Sequence, residues 1–197
     1  MMKKIRERIE EIKDKKLISN IGRKPIILLD QDDILADHDE EIIRRYNKKY
    51  KTNFTIEDIT CWEIASIMGK EVEQIMFDPE LFKDLPIIEG CYENLKILYE
   101  SNLFEFYICT AAHPAAMYNK YNWIKEYLPF FNKRDVIFTH RKDLINGDLL
   151  FDDGPHNIEA FKKDVIIMDK PYNRHIKNRD RVYNWEQFAE LLLKKFY

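Results

Sequence analysis

Two apolar patterns alternate along the chain. Short apolar-rich runs are separated by stretches in which apolar residues recur every three or four positions. A run apolar at nearly every position fits a strand buried on both faces, whereas helical spacing fits an element with one buried face. The runs predict strands at residues 26–29, 104–109, 135–139, 149–153 and 165–168. The helical spacing predicts helices over 3–18, 38–50, 90–101, 116–128, from about 157, and over 185–196. Strands alternating with helices imply an α/β fold built on a doubly wound parallel sheet.

The alternation is interrupted once. Residues 40–86 are rich in large apolar side chains but hold no strand pattern, so they read as a mostly helical cap inserted between the first two strands. Thr55 and Asp58 resemble a capping box with Asp in place of the preferred Glu. The expected organisation is a basic helical extension (1–24), a core (25–39 and 87–197) and the cap (40–86). Ile5, Ile9, Ile12 and Leu17 form a rough stripe on the extension. We read the extension as solvated, with a docking helix or a homodimer contact as the alternative.

Composition narrows the class. The 197 residues are 45% apolar and 13% aromatic, enough for one packed core. No apolar stretch approaches the roughly 18 residues of a membrane span, and the charged N-terminus lacks the apolar segment of a secretory signal. Cys61, Cys91 and Cys109 are widely spaced and form no CxxC pair, which fits reduced thiols and a cytoplasmic setting. Formal charge is −3, but residues 1–24 hold nine Lys/Arg against four Asp/Glu, net +5, leaving −8 for the remainder. An acidic body argues against a general nucleic-acid binder and leaves room for a small anion if a metal supplies positive charge.

The chemistry gathers at strand ends. The first strand runs into Asp30, Asp32 and Asp33, the second ends at Thr110-Ala111, and the fourth ends at Asp152-Asp153. Lys142 lies on the loop after the third strand. In a parallel sheet these ends converge on one edge, where ligands of such folds bind. Taken singly, Thr110 reads as a strand-end hydroxyl, Lys142 as a solvated lysine, and Asp152-Asp153 before Gly154 as a turn. Together they suit phosphoryl transfer. Carboxylates on a hard cation such as Mg²⁺ neutralise a phosphoester, while Lys142 and the Thr110 hydroxyl hold its oxygens. Asp30 can attack phosphorus to give an aspartyl-phosphate, and Asp32 can protonate the leaving alcohol and then activate water. His113 and His156 lack a His or Cys partner at zinc spacing and are read as structural or peripheral.

These motifs resemble the haloacid dehalogenase-like phosphatases. Their first motif, Asp-x-Asp-x-(Thr/Val), is matched by Asp30-Gln31-Asp32-Asp33-Ile34, their strand-end Thr by Thr110, their Lys by Lys142, and their acid pair by Asp152-Asp153. Within that group the chain is similar to the 5′(3′)-deoxyribonucleotidases, whose DMDGVLAD appears here as DQDDILAD. The resemblance covers about residues 25–190. It implies a Rossmann-like core with a small helical cap, Asp30 as nucleophile and Asp32 as acid/base. It also implies Mg²⁺ on Asp30, Asp32 and Asp153, with Asp152 acting partly through water. Phosphate would meet Thr110, Ala111 and Lys142. Trp62, Met76, Phe82 and His38 fall near the family's base pocket, with core packing as the competing reading. Asp33 replaces the family's usual Gly, bringing a carboxylate beside the site or into solvent, and Ala111 replaces a frequent Ser.

The expected activity is a Mg²⁺-dependent phosphatase of nucleoside monophosphates, deoxyribonucleotides foremost. The alternatives are a phosphatase of the same fold for another small phosphoester, and a catalytically silent nucleotide-binding protein. A third is a nucleic-acid end-processing enzyme that uses the basic N-terminal segment.

Overall fold

Ile27 and Leu29 face one layer of the core and Leu28 faces the other, and all three are fully buried. That two-sided burial is why the run is unbroken. The computed structural model describes residues 2–197. Six strands form one sheet: Ile26–Leu29 (β1), Glu105–Thr110 (β2), Val136–Phe138 (β3), Leu149–Asp152 (β4), Asp164–Met168 (β5) and Asp180–Val182 (β6). Every pairing is parallel and the order is β3-β2-β1-β4-β5-β6. The order reverses direction between β1 and β4. A crevice opens beyond the carboxyl ends of strands at such a reversal, and Asp30 and Asp152 stand at its two sides.

The helices are Met2–Asp14 (α1), His38–Tyr50 (α2), Ala65–Met68 (α3), Glu73–Met76 (α4), Cys91–Ser101 (α5), Met117–Tyr127 (α6), Pro155–Ala160 (α7) and Trp185–Phe196 (α8). The larger core lies between the sheet and α1, α5 and α8, and also takes in residues from 59 to 85. The smaller core lies on the other sheet face, where Leu28, Cys109, Leu150 and Ile167 meet Ile158 and Phe161. Among the described residues, no helix is long and apolar enough to cross a membrane.

Three features differ from the sequence reading. First, α1 is docked, not solvated. Ile5, Ile9 and Ile12 are buried in the main core against α5 and α8. Spaced at i, i+4 and i+7, they form one narrow stripe that meets the apolar stripe of α8, while Lys4 pairs with Glu190 at 3.0 Å on the rim. Leu17 lies beyond the helix end and is exposed.

Second, the segment from 55 to 86 is a string of single turns instead of longer helices. Gly69 at φ +93° ends α3, and Pro79 opens a separate 3₁₀ turn at Pro79–Lys83. At Thr55 the acid half of the capping box forms, the Asp58 carboxylate accepting the Thr55 N–H at 2.8 Å and its hydroxyl at 2.9 Å. Third, β6 has no apolar run to announce it. Its sequence is Asp-Arg-Val on an edge, and only Val182 is buried.

Replacing Ile9, which is 3% exposed, tests the docking of α1. Ile9→Ala is expected to cost about 2–4 kcal/mol by urea unfolding, whereas a solvated helix would lose less than about 0.5 kcal/mol.

Candidate active site

Asp30 follows β1 directly, and its N–H donates to the Phe151 carbonyl of β4 at 3.0 Å. The backbone is thus anchored between the two strands that flank the crevice. One Asp30 carboxylate oxygen accepts the Gln31 N–H at 2.8 Å and lies 2.8 Å from Lys142 Nζ. Lys142 sits in a 3₁₀ turn, Lys142–Leu144, after β3. It is only 2% exposed and also donates to Asp152 at 2.6 Å. Burial opposes its charge, but Asp152 and Asp30 outweigh burial and hold the ammonium above the ordinary lysine range. Lys142 is therefore a shared counter-charge between two strand ends and not a surface lysine.

Asp152 has its remaining lone pairs engaged by the Gly154 N–H at 2.8 Å and by Asn157 Nδ2 at 3.2 Å. Asp153 accepts from the Tyr172 hydroxyl at 2.5 Å, and Asn173 Nδ2 donates to its carbonyl at 2.9 Å. Burial, then the neighbouring carboxylates Asp33, Asp152 and Asp30, push Asp153 well above the usual carboxylate range. Burial is also the main reason that Asp152 is raised. One oxygen each from Asp30, Asp152 and Asp153 falls within a 4.8 Å cluster.

The second half of the site is built on α6. Lys120, 1% exposed, donates to Asp32 Oδ2 at 2.7 Å, Thr110 Oγ1 at 2.9 Å and the Ala111 carbonyl at 2.7 Å. Its ammonium stands 4.7 Å from the centre of the Phe82 ring. Nothing in the sequence analysis singled out Lys120. The available signal was its position: Lys120, Trp123 and Ile124 share the buried face of α6. Among the described residues, Asp32 Oδ1 has no hydrogen-bond partner although it is buried.

Asp33 is likewise held by a lysine, with Lys170 Nζ at 2.7 Å. Five carboxylates (Asp30, Asp32, Asp33, Asp152, Asp153) thus face three lysines. The oxygen-only donor set of Asp30, Asp152 and Asp153, in a site with more acids than lysines, fits a divalent cation. Asp30 and Asp153 are the residues placed to hold it, with Asp152 already engaged behind them.

Residues 24–196 match the family model described as 5′ nucleotidase, deoxy (pyrimidine), cytosolic type C protein. The chain belongs to this family. It is 34% identical over 175 residues to a 5′(3′)-deoxyribonucleotidase of Clostridium acetobutylicum, covering 85% of this chain and 94% of that one. It is also 34% identical over 174 residues to a 5′(3′)-deoxyribonucleotidase of Bacillus subtilis, covering 86% and 99%. Among solved structures, it is similar in fold to a HAD-family hydrolase of Deinococcus radiodurans crystallised with phosphate and sodium. That match has a TM-score of 0.61 at 10% identity, covering 87% of this chain and 96% of the other. A magnesium-bound HAD-hydrolase of Bacillus subtilis matches with a TM-score of 0.55 at 15% identity, covering 86% and 99%.

The remaining residues expected near the family's base pocket fall into three places. His38 stacks on Phe82, ring centres 5.7 Å apart, so these two join Lys120 on the β2 side. Trp62 is 47% exposed and stands on the β4–β5 side, 5.0 Å from the His156 ring and 5.3 Å from that of Tyr172. Met76 is half-buried against the main core. His113 is exposed, and its ring nitrogen faces the Ala115 N–H at 3.3 Å.

Asp33 points neither into solvent nor freely into the crevice. Besides Lys170, its carboxylate accepts the Asp39 N–H at 3.3 Å and lies 3.9 Å from His38 Nδ1. Burial, with Asp39 adding to it, raises Asp33 to about 7. Burial pulls His38 down, but Asp32, Asp39 and Asp33 overcome it and raise the imidazole to about 9.

Because Lys142 serves two buried carboxylates, removing it strands both. Lys142→Met is expected to cost about 3–5 kcal/mol by urea unfolding without added metal. A surface lysine would cost under about 1 kcal/mol.

Proposed function

We propose that this chain is a Mg²⁺-dependent phosphatase of nucleoside monophosphates, with deoxyribonucleotides as the preferred class. The carrying observation is the cluster of Asp30, Asp152 and Asp153 at the β1/β4 crevice, neutralised in part by the single buried ammonium of Lys142. The family membership and the deoxyribonucleotidase relatives support the nucleotide as the substrate class.

In the first step a carboxylate oxygen of Asp30 attacks phosphorus, and the bond from phosphorus to the ester oxygen breaks. Asp32 gives a proton to the departing alcohol. In the second step Asp32 takes a proton from water as that water attacks the phospho-Asp30, releasing inorganic phosphate and regenerating the Asp30 carboxylate and the protonated Asp32. Lys142, the Thr110 hydroxyl and the Ala111 N–H surround the transferring group and hold its oxygens against the growing charge, while Lys120 ties Asp32, Thr110 and the Ala111 carbonyl together beside it. Asp30, Asp153 and the Asp32 carbonyl would hold Mg²⁺, which when bound would neutralise phosphate charge. Tyr172 and Asn173 orient Asp153 from behind, as outer partners of a metal ligand do.

Residues 40–86 act as the cap over this edge. Two ties to the core support that role: Arg174 to Glu57, at 2.6 and 2.9 Å, and Asn119 Nδ2 to the Pro79 carbonyl at 2.8 Å. Trp62 on one side and His38 and Phe82 on the other are the side chains offered to the nucleoside, whose flat base suits aromatic contact, while Met76 packs against the main core.

The test is phosphate release from dUMP, dTMP, UMP and glucose 6-phosphate with Mg²⁺. Release is expected from the deoxynucleotides first, abolished by EDTA and restored by added Mg²⁺. Asp30→Asn, whose amide is no nucleophile, is expected to lose about a thousandfold or more. Release from glucose 6-phosphate alone would preserve the chemistry and overturn the nucleotide assignment.

A further inference from the structure

Asp33 departs from the glycine of the family motif, yet it keeps the backbone shape that glycine is suited to, with φ +55°. The left-handed region is costly for a residue with a side chain, less so for Asp than for most. The turn it occupies is tight. Leu35 and Ala36 N–H both donate to the Gln31 carbonyl at 2.9 Å, and the Asp33 N–H donates to the Ala36 carbonyl at 2.8 Å. Asp32 pairs with Ala36, which in turn pairs with Ile87. The direction of the Asp32 side chain therefore depends on how this turn is held.

Two lysines from different elements hold consecutive acids of the turn. Lys120 of α6 takes Asp32 at 2.7 Å, and Lys170, just after β5, takes Asp33 at 2.7 Å. The Asp33 oxygen that meets Lys170 also accepts the Asp39 N–H at 3.3 Å, tying the turn to the start of α2. Lys170 itself makes no ion pair with Asp30, Asp32 or Asp152.

We propose that Lys170 is a positioning residue for catalysis: it anchors Asp33, and so fixes the turn that aims Asp32 at the leaving group. The proposal rests on the phosphatase reading above, and its signature is specific to the acid step. Without Lys170, the buried Asp33 carboxyl group keeps only the Asp39 N–H and the more distant His38, and the turn loses its tie to the segment after β5. Water from the adjoining cleft of about 530 Å³ then takes the place of the lysine, and the turn relaxes toward it. Asp30 is anchored separately through β4 and Lys142, so nucleophilic attack is spared while proton delivery suffers.

The experiment compares kcat/KM for phenyl phosphate and p-nitrophenyl phosphate, with Mg²⁺, in the full-length protein. Phenoxide needs a proton as it leaves, whereas nitrophenoxide departs without one. Lys170→Met is expected to lose about tenfold on phenyl phosphate and under about threefold on p-nitrophenyl phosphate. Lys170→Arg restores the charge and is expected to recover phenyl phosphate turnover. The double variant Asp33→Gly/Lys170→Met is expected to recover it too, because glycine takes the positive φ freely and no carboxylate is left to pair. Equal losses on both substrates, no loss on either, or a double variant no better than Lys170→Met would overturn the proposal. If Lys170→Met does not fold, Lys170→Gln and the double variant carry the same comparison. Wild-type protein that releases phosphate from neither the aryl phosphates nor the nucleotides would overturn the phosphatase chemistry and this proposal together. Activity on aryl phosphates with none on nucleotides overturns the nucleotide assignment and leaves the Lys170 comparison intact.

Discussion

The structure depends on bringing like charges together without letting them repel the fold apart. Five carboxylates converge at the ends of β1 and β4, most of them out of water, where each bare charge is expensive. The remedy is distributed. Lys142 comes from the turn after β3, Lys120 from α6 and Lys170 from the loop after β5. Each acid of the first motif therefore meets a different ammonium, delivered by a different part of the chain, and Asp30 shares its lysine with Asp152. The sheet fixes where the acids are, and the three connections fix where the cations are.

That arrangement separates roles that look identical in a list of acids. Asp152 is fully engaged by Lys142, Gly154 and Asn157, so it acts as a rigid wall. Asp153 is oriented by Tyr172 and Asn173, neither of which is charged, so it has no cation of its own. Asp32 has one oxygen on Lys120 and one without any partner. Its two oxygens are unequal before any substrate arrives, which suits the acid/base role proposed for it.

Much of this was legible in the residues. Strand ends carrying carboxylates announced the crevice, and the period of α2 and α8 matched their observed spans within a residue. The missing parts share a cause. Periodicity does not reveal what a face packs against, so the Ile5–Ile9–Ile12 stripe on a highly charged helix read as solvated although it is docked. A lysine reads as solvated unless its partner is known, and Asp32 lies 88 residues from Lys120 while Asp33 lies 137 from Lys170. β6 escaped because a three-residue edge strand with two charges has no pattern to detect. Lys142 was found only because the motif order pointed to it.

The strand order also has a consequence for how the chain reaches its native state. β1 and β4 are neighbours in the sheet, yet the bond from the Ile26 N–H to Asp148 at their start spans 122 residues. Closing so long a loop costs chain entropy before any contact returns it, so this pairing belongs to the late stages of folding. During synthesis, Asp30 leaves the ribosome well before Asp152 and Asp153 exist. The nascent chain thus carries an acidic strand end with no crevice around it. The acquisition of catalytic competence and the completion of the fold are, for this topology, the same event.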